Sequence, residues 1–107
     1  MGTLVYGPAL TLTFDDRALA HLQLVITAKL RRGESFVFSF EETRGDDTGR
    51  TTVWMNADIP MIYRYDSTRM PQINREWLES MTAAASSAQG LILSEEPADP
   101  ARLVETR

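Results

Sequence analysis

The segment DDRALAHLQLVITAKLRRGESFVFSFEE, positions 15–42, holds the two patterns that decide the fold. In its first half, apolar residues recur every three or four positions, which is typical of one face of an α-helix. Asp15 and Asp16 can cap the start of this helix, and Gly33 supplies its end after about Arg32. We expect its core face to consist of Ala18, Leu19, Leu22, Val25, Ile26 and Leu30.

The second half of the segment predicts a β-strand. Phe36, Phe38 and Phe40 alternate with smaller or charged residues, so the three rings lie on one side of the strand. A polar, glycine-rich turn follows at positions 43–50. The sequence TTVWMNA at positions 51–57 is then the expected return strand of a hairpin.

The remaining strands and the second helix are shorter. Two strands surround a turn at Gly7 and Pro8, and the strand MIYRY follows Pro60. Asn74 is a good cap for a second helix that ends before Gly90, and GLIL is the last strand. The resulting order, ββαβββαβ, predicts an α+β fold in which two helices pack on a mainly antiparallel sheet.

The chain length of 107 residues predicts one domain. We place this single compact α+β domain at residues 1–94. From position 95 onward the sequence contains Pro97, Pro100 and many charged residues. We therefore expect residues 95–107 to form a flexible C-terminal tail.

Composition excludes several classes of protein. The chain has no cysteine, which excludes disulfides, thiolate catalysis and cysteine-based zinc sites. A formal net charge of -4 disfavours the broad basic surface of a typical nucleic-acid-binding protein. The sequence shows neither a signal peptide nor a run of the ~20 apolar residues that a membrane span needs. We therefore expect a cytoplasmic protein that does not enter a membrane.

Two residues invite a catalytic interpretation, and each has a simpler one. Lys29 lies beside the core stripe at the basic end of the first helix, where a lysine normally buries its stem and keeps its ammonium in water. His21 is the only histidine, so no triad or multi-histidine metal site can use a second imidazole. We expect a hydrogen-bonded residue at the border of the apolar face, with a lone general base as the alternative.

Paired carboxylates at positions 15–16, 41–42 and 46–47 raise the hypothesis of a bound Mg²⁺ or Ca²⁺. Helix capping explains the first pair, and neighbours on a strand, as in the second, point to opposite faces. The third pair lacks the spaced ligands of a calcium loop, and the glycines form no phosphate-binding loop. The sequence therefore indicates no catalytic residue, no cofactor and no metal ligand, and an enzyme is the disfavoured interpretation.

Other residues favour an interaction surface. The first helix has a second apolar side around Leu24, which either contacts a partner or is simply one exposed leucine. Aromatic residues beside Arg64 and Arg75 favour stacking on single-stranded nucleic acid or on a partner peptide, and core packing is the alternative. These aromatic residues are Trp54, Tyr63, Tyr65 and Trp77. The candidate interaction residues are Leu24, Arg31, Arg32, Trp54, Arg64 and Arg75.

Three segments together resemble a known family. They are FDDRALAHLQLVITAKLRRGESFVFSFE, GRTTVWMNADIPMIYRY and PQINREWLESMTAAASSAQGLILSEEP. The family consists of short actinobacterial proteins of unknown function, many of which carry the automatic label "ATP-dependent DNA ligase". The resemblance implies a link to DNA ligation. In ligases the reactive lysine is followed by one residue and then Asp-Gly, whereas Leu30 and two arginines follow Lys29.

These observations favour a small non-catalytic binding domain that is homodimeric or binds an unidentified protein partner. The alternative is an accessory nucleic-acid-binding protein linked to DNA ligation, as the resemblance suggests.

Overall fold

The computed structural model describes residues 1–8 and 10–97. Over these residues, two helices and six strands follow one another in the order ββαβββαβ, which confirms the predicted α+β class. The elements are β1 (Gly2–Tyr6), β2 (Leu10–Phe14), α1 (Asp16–Arg31), β3 (Phe36–Arg44), β4 (Asp47–Met55), β5 (Met61–Arg64), α2 (Arg75–Ala85) and β6 (Leu91–Ile92).

The strands form two three-stranded sheets rather than one. In the first sheet, with the order β2-β1-β5, both neighbouring pairs are antiparallel. In the second, with the order β4-β3-β6, β3 pairs antiparallel with β4 and parallel with β6. The prediction of mainly antiparallel pairing is confirmed, and the division arises because β2 and β3, which α1 separates along the chain, do not pair.

Helix α1 begins and ends where the sequence predicts. The Asp15 carboxylate accepts a hydrogen bond from the N–H of Ala18 at 2.7 Å, which caps the first turn. Arg32 is the C-cap of the helix, and Gly33 follows with a φ of 74°. The predicted core face is buried except for Leu30, which is half-buried.

The hairpin between β3 and β4 has a tighter turn than the sequence analysis predicts. The strands pair continuously up to Arg44 and Asp47, so only Gly45 and Asp46 lie in the turn. Gly45 has a φ of 62°, a value that glycine reaches without steric cost and that a two-residue hairpin turn requires at its first position. The hairpin is therefore two nine-residue strands, with β4 at the edge of its sheet.

The core forms where the two sheets meet. The ring of Phe14 in β2 lies 6.3 Å from the ring of Phe38 and 6.2 Å from that of Phe40, both in β3. Helix α1 packs against α2 and β1, and α2 packs against β3 and β6, so the helices complete the enclosure. Phe38 is fully buried at the centre of this cluster.

No helix within the described part of the chain is long and apolar enough to cross a membrane. Of the predicted tail, residues 98–107 lie outside the described residues. The boundary at residue 94 stays a prediction.

Candidate functional site

An apolar hollow of about 470 Å³ runs along α1, and we call it the α1 groove. Residues of α1 form one wall, and the segment that leads from β5 to α2 forms the other. The lining includes Ala20, Leu24, Tyr65, Met70, Pro71 and Ile73. The structure thus places the predicted second apolar side of α1 at a groove rather than on a flat surface.

The groove carries a cluster of exposed apolar side chains. The exposed fraction is 46% for Leu24, 83% for Met70 and 37% for Ile73. Scattered exposed leucines are common on soluble proteins, but neighbouring large apolar side chains around a hollow mark an interaction surface. Methionine suits such a surface because its flexible thioether adapts to the shape of a partner.

Hydrogen bonds fix the wall opposite α1. The Asp16 side chain accepts bonds from the backbone N–H groups of Asp66 and Ser67, at 3.4 and 3.2 Å. The hydroxyl of Tyr65 donates to Oε1 of Gln23 in α1 at 2.5 Å. Partial burial raises the pKa of Tyr65, which favours the protonated phenol that this bond needs. Contacts within one chain therefore hold both walls of the groove in place.

A second set of polar residues joins the N-terminal ends of the two helices, and we call it the helix junction. The Glu96 carboxylate accepts bonds from Nε and Nη2 of Arg17, at 2.7 and 2.6 Å. It also accepts a bond from Nδ2 of Asn74 at 3.0 Å. The Oδ1 atom of Asn74 in turn accepts from the N–H groups of Glu76 and Trp77, which caps α2 as predicted.

His21 is completely buried at this junction, whereas we expected it at the border of the apolar face of α1. Its Nε2 accepts from the N–H of Asn74 at 2.9 Å, so the ring proton lies on Nδ1, 2.7 Å from the carbonyl oxygen of Arg17. The Trp77 ring covers the imidazole, with ring centroids 4.6 Å apart. The predicted hydrogen bonding is confirmed, and both nitrogens that a general base would use are engaged.

Lys29 buries its stem as predicted. Its Nζ lies 2.9 Å from Oε1 of Glu34, and its side chain is 9% exposed. The hydrogen bond from Lys29 and the nearby charge of Arg32 lower the pKa of Glu34, which favours its carboxylate form. The ammonium is thus held by a carboxylate at the C-terminal end of α1.

The other candidate interaction residues lie on separate elements. Arg31 borders a smaller hollow beside Tyr63, and Arg32 lies 3.3 Å from Glu34. The side chain of Trp54 on β4 is 59% exposed, while its carbonyl oxygen accepts from the hydroxyl of Tyr6 at 2.7 Å. Arg64 ends β5, and Arg75 begins α2. Of the predicted set, only Leu24 lines the α1 groove.

Sequence reasoning missed most of the groove. Met70, Pro71 and Ile73 belong to an irregular segment, where hydrophobic periodicity gives no signal. The cluster of apolar residues in an otherwise polar loop was the available hint. In the part of the chain that the structure describes, no three His, Asp or Glu side chains are grouped so that they could hold a metal ion.

Comparison with known families gives a match over most of the chain. A family model described as Domain of unknown function (DUF7882) matches residues 1–96. Comparisons with curated proteins and with solved structures give no match.

Proposed function

We propose that this chain, which belongs to the family described as Domain of unknown function (DUF7882), is a small cytoplasmic interaction domain. In this proposal it performs no catalysis and forms a homodimer in which each α1 groove holds apolar side chains of a second copy. The single observation that supports this most strongly is the grouping of Leu24, Met70 and Ile73 around the groove.

A second copy fits because the same face carries both a hollow and a protruding side chain. In a two-fold symmetric dimer the same patch contacts itself, so it must be self-complementary. Met70 projects from the groove rim, and the groove itself has an apolar lining. Ala28 lies one turn after Leu24 and is exposed, so a second α1 helix can approach closely beside the leucine.

The groups with catalytic potential also support a binding role. His21 uses both ring nitrogens to position the start of α2, and Lys29 pairs with Glu34. An acid–base or nucleophilic catalyst needs a group that can reach a substrate. These two groups instead contact neighbouring protein atoms.

Sedimentation velocity of wild-type protein and of Leu24→Glu tests the dimer. We expect the wild type to dimerise and the substitution to weaken dimerisation by at least about tenfold, because it places a charge in the apolar groove. Ile62→Glu is the matched control: Ile62 is 45% exposed, as Leu24 is 46% exposed, but it lies on β5 outside the groove. A wild-type monomer, or equal weakening by both substitutions, contradicts the proposal.

The alternative function is an accessory nucleic-acid-binding protein linked to DNA ligation. The resemblance to actinobacterial proteins labelled as ATP-dependent DNA ligases suggests it, and the exposed ring of Trp54 favours stacking on a base. Binding of single- and double-stranded DNA across a salt series distinguishes the two functions. Phosphate contacts are strongest at low salt, so no binding there removes the alternative.

A further inference from the structure

Two strand edges face each other across a gap between the sheets. Strand β2 is the outermost strand of the first sheet. In the second sheet, β6 pairs with β3 only at Phe38 and Ser39. Beyond Ser39, no strand among the described residues pairs with this side of β3. Open edges of this kind can pair with an added strand.

The backbone direction of β3 beyond Ser39 follows from its pairing. The carbonyl oxygen of Ser39 accepts a bond from the N–H of Leu93, so it points toward β6 and away from β4. The register with β4 is continuous from Phe36 to Arg44, and backbone direction alternates with a period of two residues. Glu41 and Thr43 therefore direct their N–H and C=O groups toward the gap.

The gap is a cavity of about 350 Å³ between β2 and the outer half of β3, and we call it the β2–β3 slot. Inward-facing side chains of both strands, Leu12, Phe14 and Phe40, form its floor together with Leu93. A neighbouring hollow of about 380 Å³ shares Phe40, Glu41 and Leu93 with the slot, so the two adjoin, and we call them together the trough. An extended chain fits a trough with an apolar floor and an open strand edge on each side.

The charge around the trough selects the chemistry of the occupant. Glu41, Glu42 and Glu95 border the trough. Among the described side chains that border it, only Arg50 is basic, and it lies opposite Glu41 in the hairpin. Even without Glu42, which has another contact, the carboxylates of Glu41 and Glu95 outnumber this one guanidinium, which favours a basic partner and disfavours an acidic one.

We propose that the β2–β3 slot binds an extended basic segment of another protein by strand addition. Apolar side chains of the segment pack on the floor, and its lysine or arginine side chains reach the carboxylates. Its backbone pairs with Glu41 and Thr43. This surface lies on β2 and β3, apart from the α1 groove, so the failure of one proposal leaves the other standing.

The first test measures binding of a short fluorescent peptide of alternating lysine and valine to the full chain by anisotropy. We expect saturable binding of this peptide and no binding of its glutamate–valine counterpart. Glu41→Lys should weaken binding by at least about tenfold, because it reverses a charge at the slot. Glu79→Lys, the same change on exposed α2, should leave it unchanged. Equal affinity for both peptides, or equal effects of both substitutions, overturns the proposal.

The second test removes one backbone donor at the slot. Thr43 and Thr48 face each other across the hairpin, and their N–H groups point to opposite edges of the sheet. Thr43→Pro therefore removes an N–H from the slot, whereas Thr48→Pro removes one from the outer edge of β4. We expect only Thr43→Pro to weaken peptide binding. Equal binding by the two variants contradicts strand addition. If either proline variant is unfolded, the comparison of Glu41→Lys with Glu79→Lys tests whether the slot binds the peptide.

Discussion

The imidazole of His21 in α1 accepts a hydrogen bond from the backbone N–H of Asn74, the residue that caps α2, at 2.9 Å. This bond links the two helices directly. A buried N–H needs an acceptor, so one side chain on α1 fixes where α2 begins. The only histidine of the chain thus has an architectural role.

We predict that His21→Phe destabilises the fold by about 1–3 kcal/mol, measured by urea denaturation. The ring volume is nearly kept, but the buried N–H of Asn74 loses its acceptor. Arg31→Lys, an exposed change on the same helix, should alter the free energy of unfolding by less than about 0.5 kcal/mol. A loss from His21→Phe no larger than that of the control would show that the bond is not stabilising.

The contacts of Glu96 give a second stability prediction. Its carboxylate accepts three bonds from Arg17 and Asn74. The side chains of Arg17 and Glu96 are 21% and 19% exposed. We expect Glu96→Ala to lower the free energy of unfolding by about 1.5–3 kcal/mol. Glu95→Ala removes the preceding, exposed carboxylate and should have little effect. Equal losses in the free energy of unfolding from the two substitutions would show that the contacts of Glu96 at the helix junction are not stabilising.

Tyr63 gives a prediction at alkaline pH. Burial raises its pKa from 10.0 to about 12, so the folded protein disfavours the phenolate. Below pH 10 the phenol is protonated in both states and its contribution is complete. As the pH rises from about 10 to about 12, only the unfolded chain ionises, so the stability falls.

Urea denaturation at about pH 9 and about pH 11 should therefore show a larger loss for the wild type than for Tyr63→Phe. In a pH titration of the folded protein followed by tyrosinate absorbance, the step at the highest pH should also be absent in this variant. Equal losses of stability in the two proteins would contradict the burial of this phenol.

Lys29 should remain unmodified by nucleotide. Its Nζ pairs with Glu34 and its side chain is 9% exposed, so it lacks the access to a substrate that a nucleophile needs. Intact-mass measurement after incubation with ATP and Mg²⁺ should give the unmodified mass. A nucleotide adduct that disappears in Lys29→Arg would contradict this assignment.

Local patterns were sufficient to predict the elements. Asp15, Gly33 and the alternating phenylalanines of β3 act within a few residues of themselves, so the sequence shows where α1 begins and ends and where β3 lies, although β3 continues to Arg44, inside the predicted turn. The two-sheet division and the helix junction depend on distant pairs. His21 and Asn74 are 53 positions apart, and no periodicity reports such a contact.

The α1 groove was predictable only in part for the same reason. Leu24 breaks the polar face of an amphipathic helix, which is a local signal. Met70 and Ile73 come from an irregular segment, and only the packing of that segment on α1 brings them to the same hollow.

The central claim, that the α1 groove holds a second copy, is tested most directly by isotope-filtered NMR on a mixture of ¹³C-labelled and unlabelled chains. The filter reports only contacts between copies. We predict cross-peaks from the Leu24 methyl groups of one copy to the Met70 methyl group of the other. Observation of the cross-peaks within one chain, with none between chains at millimolar concentration, would contradict the account.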